Sequence, residues 1–330
     1  MRIDGSVWRG TFSASDTGTL IYEPGIVGAG NHLTWLDRSG KELGNLGTPD
    51  AFSMIELSPD DKKAAVTIGD PQGVIWIYDV LRNSRTRFSF GSDSSTDPIW
   101  SRDGKQIAYL TGNPANAFSR KLIVRASDGS GVVKEIAQIG TLQTLQLELD
   151  DWSPDGRYLL YDAGTIGQGN GVDIWMLPVF GDHKPSAFIT APGEQGFAQF
   201  SPDGRWVAYS STENGRPEVY VVAFPWTGAK WQISANGGTR PRWRRDGKEI
   251  LFEVPGSGKL MSAQVNGRGP NLELGEVRML FEGTNLPPNN AGSQWSLTSD
   301  RQRLLAITTG ETGALPLTVI QNWTAELKKK

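Results

Sequence analysis

The chain has 330 residues, 38% hydrophobic and 21% charged, with a net charge of −3. That balance argues against nucleic acid as a partner, since phosphate binding needs a Lys/Arg-rich face and only the terminal Lys328-Lys329-Lys330 is a basic run. With no cysteine, disulfides, thiolate metal sites and cysteine nucleophiles are all excluded.

No segment approaches the roughly 18 consecutive apolar residues of a membrane span. The opening MRIDGSVWRG lacks the apolar core of a secretion signal. As written, the chain reads as soluble, with no membrane segment and no assigned compartment.

In chain order, one phrase recurs seven times. It appears as FSASDTGTLIYEPG from Phe12, LSPDDKKAAVTIG from Leu57, WSRDGKQIAYLTG from Trp100 and WSPDGRYLLYDAG from Trp152. It returns as FSPDGRWVAYSS from Phe200, WRRDGKEILFEVPG from Trp243 and LTSDRQRLLAITTG from Leu297. Each copy is a strand end, a Ser-Pro-Asp-Gly-type turn and an alternating strand. Successive starts are 43 residues apart at the closest, from Leu57 to Trp100 and from Phe200 to Trp243, and 54 apart at the farthest, from Trp243 to Leu297. Periods of that length mark propellers and solenoids.

A third apolar segment follows each copy, from HLTWLD in the first unit to PLTVIQNW in the last, and in most units a fourth, such as RTRFSF or KEIAQIG. Four short strands joined by Gly-, Pro- and Asp-rich turns make one blade of an all-β propeller. The expectation is a seven-bladed ring, with six or eight blades as alternatives. Residues 1–330 then form one domain, with blades starting near 12, 57, 100, 152, 200, 243 and 297 and closed by an N-terminal strand at Ser6–Arg9.

The aromatic-Ser-Pro-Asp-Gly turn resembles that of the TolB-like propeller repeats. More closely, TWLDRSGKELG, DIWMLPVFGDHKPSAFI, FSPDGRWVAYSSTENGRPEVYVVAFP and GGTRPRWRRDGKEI resemble the C-terminal sensor propeller of bacterial membrane-anchored serine/threonine kinases, as does the ending LTVIQNWTAELKKK. The resemblance spans essentially the whole chain. It implies a sensing or protein-interaction role and an extracytoplasmic location for a chain derived from such a kinase. The kinase domain itself is not in this sequence, so the kinase reaction is not expected of it.

The repeated Asp60, Asp103, Asp155, Asp203 and Asp246 are read as turn formers, because acids distributed around a ring cannot converge on one substrate. Trp100, Trp152 and Trp243 alternate with Phe and Leu at one repeat position and are read as core, whereas Trp226, Trp231 and Trp295 are candidates for stacking a sugar or peptide. The loops entering the innermost strands converge on the axial mouth, four and six residues before each turn Asp. Those positions give Glu56, Asp97, Asp151, Gln199, Arg240, Arg242 and Gln294 as a ligand-binding mouth for a small molecule, peptide or glycan. Glu148, Asp150 and Glu194 share these loops.

An alternative is a hydrolase of lactones, esters or phosphotriesters, with Asp97, Asp150 and Asp151 as the catalytic set. In it Glu56, Asp97, Asp150 and Asp151 would hold Ca²⁺, by analogy with propeller hydrolases. The two histidines, His32 and His183, fall on separate blades and supply no triad. The favoured reading is non-catalytic, with no cofactor assigned.

Overall fold

The computed structural model describes residues 30–69, 72–113, 120–140, 144–165, 171–267, 269, 271–283, 294–300 and 302–309, with short segments at 3–4, 9–10, 12–15, 19–22 and 318–321. Among these residues the regular structure is all β: six four-stranded antiparallel sheets, one three-stranded sheet and a two-stranded ribbon.

The repeated phrase folds as its chemistry dictates. At Ser201-Pro202-Asp203-Gly204 the Gly204 N–H donates to the Ser201 carbonyl at 2.9 Å, and Gly204 takes a φ of 73° that glycine adopts without a Cβ clash. The strand that follows, Trp206–Ser211, is buried along its whole length. Each such hairpin supplies the two inner strands of one blade.

Blade 1 runs outward from the axis as Phe52–Leu57, Lys63–Ile68, Val74–Asp79 and Ser84–Arg87. Blades 2, 3, 4 and 5 occupy 94–139, 144–189, 195–232 and 239–282 in the same order. Blade 6 is shared between the ends of the chain: Trp295–Leu297 and Arg303–Thr308 lie inside, and Asn31–Asp37 and Glu42–Asp50 complete it outside. The innermost strands of blades 6, 1, 2, 3, 4 and 5 pack in that succession around the axis.

Six apolar clusters hold the ring, one at each blade interface. Leu33 and Ile307 of blade 6 pack with Phe52 and Leu57 of blade 1. Phe88 of blade 1 meets Trp100 of blade 2, whose neighbours Leu110 and Val124 meet Trp152 of blade 3. Leu160 and Phe188 meet Phe200 of blade 4, Trp206 and Val221 meet Trp243 of blade 5, and Leu251 and Phe281 meet Trp295 and Leu304 of blade 6. Trp100, Trp152 and Trp243 are therefore core, as expected. An uninterrupted circuit of such clusters means no blade carries an unpartnered apolar face.

Among the described residues the blade count is six, in place of the expected seven. The Phe12 copy forms no ring blade: Phe12–Ala14 and Thr19–Tyr22 join Thr318–Gln321 in a separate three-stranded sheet. The first and last repeats thus exchange third strands. Asn31–Asp37 pairs with Arg303–Thr308, from Asp37 opposite Arg303 to His32 opposite Thr308. This pairing buries Leu33 and Leu36 beside Leu304 and Leu305, which decides the partner.

The closing strand expected at Ser6–Arg9 is replaced in that role by Asn31–Asp37 and Glu42–Asp50. Arg9 pairs instead with Asp4 in a two-stranded ribbon, and residues 6–8 lie outside the described residues.

Candidate functional site

The turn aspartates are structural. Ser58, Ser101, Ser153 and Ser201 donate their hydroxyls to Asp60, Asp103, Asp155 and Asp203 at 2.6–2.7 Å. The same carboxylates accept the N–H two residues on, from Lys62, Lys105, Arg157 and Arg205. These bonds, led by the Ser101 hydroxyl, hold the Asp103 carboxyl below its ordinary range. In blade 1 Asp61 replaces the usual glycine, at a φ of 60°, and its carboxylate accepts the Ser299 N–H at 2.7 Å. That bond ties the turns of blades 1 and 6 together across the ring seam.

Four residues before each turn Asp, the innermost strands place Glu56, Ile99, Asp151, Gln199, Arg242 and Ser296 around the axis. A repeated strut accounts for three of them. Asp151 accepts the N–H of Phe200 in the next blade at 2.8 Å, and its other oxygen accepts Trp152 N–H at 2.8 Å. Gln199 accepts the N–H of Trp243 through its side-chain oxygen. Ser296 accepts the N–H of Leu57 at 3.1 Å across the seam. These side chains are occupied by the fold.

Glu56 and Arg242 are not used as struts. Both line two axial cavities at once. The smaller, about 30 Å³, also touches Asp97, Glu148, Asp150 and Phe197. The larger, about 100 Å³, opens toward the hairpin turns between Asp151, Arg102 and Arg245. Burial pushes the Glu56 carboxyl up to about 7, against the attraction of the Arg242 guanidinium and a hydrogen bond with Ser296. Burial likewise lifts Asp151 to about 6, opposed first by its N–H donors.

A β-bulge interrupts the innermost strand of blades 2, 4 and 5 just before this ring, where Asp97, Phe197 and Arg240 take φ values of 54°, 55° and 50°. Bulges of this kind re-aim side chains. Arg240 lies over the Phe197 ring at 4.7 Å from its centroid and 3.6 Å from the Glu253 carboxylate. It is thus built into the rim and is not an open anchor. Gln294 is buried at 2% exposure in the mouth of blade 6.

The smaller cavity borders a buried carboxyl cluster of Asp97, Glu148, Asp150 and Asp162. Burial, then the neighbouring Glu148, raises Asp97 to about 7, and the same causes hold Asp150 and Asp162 well above the carboxylate range. Neither oxygen of Asp162 makes a hydrogen bond of ordinary geometry, although the Phe197 N–H faces it.

Asp162 was not among the sequence candidates because it sits on the second strand, seven residues after the turn Asp. The equivalent residues Ser210 and Glu253 also face the next blade: Ser210 accepts the Arg240 N–H at 3.1 Å, and Glu253 accepts the Trp295 indole N–H at 2.5 Å. Aligning that position as well would have found it.

The Ca²⁺ set of Glu56, Asp97, Asp150 and Asp151 does not fit an ion as placed. Both Asp151 oxygens are taken by backbone N–H groups, and among the described residues no three His, Asp or Glu side chains are arranged to hold a metal. Of the stacking candidates, Trp295 is core at 2% exposure and Trp231 packs edge-on against Trp206. Trp226, 44% exposed, remains available. His32 lies in blade 6 and His183 in a turn of blade 3, and neither reaches the axis. Glu194 stands outside both axial cavities.

No family model matches the chain. It is 30% identical to the uncharacterized peptidase YuxL of Bacillus subtilis (strain 168), over 50% of this chain and 34% of that one, so it spans about a third of that relative's length. A protein assigned as TolB in Agrobacterium tumefaciens superposes with a TM-score of 0.63 at 18% identity, covering 86% of this chain and 99% of that one. TolB of Acinetobacter baumannii superposes at 0.57 and 18% identity, over 94% and 76%. Among the described residues no helix is long and apolar enough to cross a membrane. With its six four-stranded blades and Ser-Pro-Asp-Gly hairpins, the chain has the fold of the TolB-type β-propellers.

Proposed function

We propose that this chain is a non-catalytic binding propeller whose axial channel receives a small molecule or a peptide segment. The observation that carries this reading is the division of labour around the axis. Asp151, Gln199 and Ser296 are spent on holding neighbouring blades, while Arg242 faces the channel without that duty and Glu56 bonds only to the Ser296 hydroxyl. Charged groups kept in a desolvated channel cost stability, and a ligand that uses them is the return. Rim residues Asp97, Arg240 and Gln294 frame the entrance. The likeness of the repeats to kinase sensor propellers supports sensing as the use of such binding, and the TolB-type fold supports a protein partner at the loop face.

Ligand-observed saturation-transfer NMR on a pool of small acids, short peptides and oligosaccharides tests the reading. Wild-type protein should give transfer to at least one member, and Arg242→Gln should abolish it. No transfer to any pool member, or transfer indifferent to Arg242, would overturn it.

A second reading, a hydrolase working at the axial mouth, draws support from the partial likeness to YuxL and from Asp97, Asp150 and Asp151 lying along one arc of the channel. A panel of ester, lactone, phosphotriester and dipeptide substrates, run with Ca²⁺ and with chelator, tests it. Turnover lost in Asp97→Asn and Asp150→Asn would establish this reading in place of the first.

A further inference from the structure

The larger axial cavity has a chemistry more specific than a general binding channel. Its charged lining is Glu56, Asp151, Arg102, Arg242 and Arg245. Three of these are committed to protein partners. Asp151 gives both oxygens to backbone N–H groups. Glu56 is half-buried and bonds with the Ser296 hydroxyl. Arg245 donates to the carbonyls of Pro59 and Ser58 and lies 3.7 Å from Asp61.

Arg242 and Arg102 are different. Both line the cavity, yet among the described residues neither guanidinium group makes a hydrogen bond or an ion pair, and they feel the carboxylates only at longer range. Pro154 and Pro202, which lack N–H groups, occupy the neighbouring turn positions and add no competing donor. A cavity of about 100 Å³ that opens to solvent has room for an oxyanion head group.

We propose that the hairpin-face cavity is an oxyanion site, taking a carboxylate or a phosphate group between the Arg242 and Arg102 guanidinium groups. A planar guanidinium matches both anions through paired N–H donors. Arg242 sits at the partition between the two cavities and is the inner anchor. Arg102, exposed at the turn, is the outer one and meets the anion first. Glu56, beside Arg242, tunes the site: in its protonated form it leaves Arg242 fully available, and as a carboxylate it competes. Glu56 and Asp151 are the carboxyls and Arg102, Arg242 and Arg245 the cations facing this cavity, so acetate, whose own charge is constant over the range, should bind more tightly as pH falls from 8 toward 6. This assignment rests on the axial channel being the binding site and names the class of group it takes.

The test is a titration of the full chain with inorganic phosphate and, separately, with acetate at constant chloride, read from the arginine Nε–H resonances by NMR. Saturable shifts at Arg242 are expected for at least one anion, weakened at least tenfold by Arg242→Gln and severalfold by Arg102→Gln. Arg303→Gln, on the outer face over Trp35, should bind as wild type does. Arg102 is at the surface, so its variant keeps the test valid even where Arg242→Gln disturbs folding. Phosphate saturating and acetate not would identify a phosphoryl ligand, and the reverse a carboxylate. If neither anion saturates, or if both arginine variants titrate like wild type, the oxyanion site is refuted. In that event, Arg242-dependent transfer to neutral pool members leaves the broader binding reading standing, and its absence removes both.

Discussion

Glu56→Gln isolates the cost of keeping a carboxyl group in the axial channel. The Glu56 carboxyl is raised by burial from its ordinary 4.5 to about 7. The folded protein therefore keeps a proton between about pH 4.5 and 7 that the unfolded chain releases. Stability contributed by that proton is complete below pH 4.5, declines as pH rises through 7 and is gone above it. At about 1.4 kcal/mol per tenfold in proton binding, the window amounts to about 3 kcal/mol. Glutamine mimics the protonated form and does not titrate. The variant should match wild type near pH 5 and exceed it by about 3 kcal/mol at pH 8, in urea unfolding followed by tryptophan fluorescence. Equal stability of the two proteins at pH 8, or a deficit of the variant at pH 5, would show that Glu56 is not held as described.

Asp151→Ala should destabilise by about 3 kcal/mol, because it leaves the N–H groups of Phe200 and Trp152 unpaired at a blade interface, and the urea midpoint measures this. Gly196→Ala should lower the melting temperature, since a Cβ there would lie 2.4 Å from Asp162 Oδ2, and the loss should shrink when Asp162→Ala is made in the same chain. Deleting residues 1–50 removes the two outer strands of blade 6 and bares the edge of Arg303–Thr308. Light scattering should then find oligomers and no cooperative melt, whereas a monomer melting like the full chain would contradict the ring closure.

Much of this was legible in the residues. The hairpin grammar fixed the blade type, and the turn aspartates were rightly set aside, as their bonds to Ser58, Ser101, Ser153 and Ser201 confirm. The blade number was not legible, because a repeat copy does not declare its strand partner. Asn31–Asp37 and Arg303–Thr308 are far apart in sequence, and only burial of Leu33 and Leu36 selects their pairing. Counting back from the turn Asp found the axial ring, including Glu56 and Arg242. It could not tell struts from open groups, since that depends on which backbone N–H the neighbouring blade presents. Asp162 escaped because its strand was read for alternation alone, and Trp295 was offered for stacking because its own repeat does not reveal that Leu251 and Phe281 of the preceding blade cover it.

The most direct measurement is the NMR response of the Arg242 Nε–H during addition of whichever pool member the saturation-transfer screen selects. A ligand seated in the axial channel shifts that resonance saturably and leaves Arg205, held by Asp203 on the outer hairpin face, where it was. A ligand that binds with Arg242 unmoved would contradict the account.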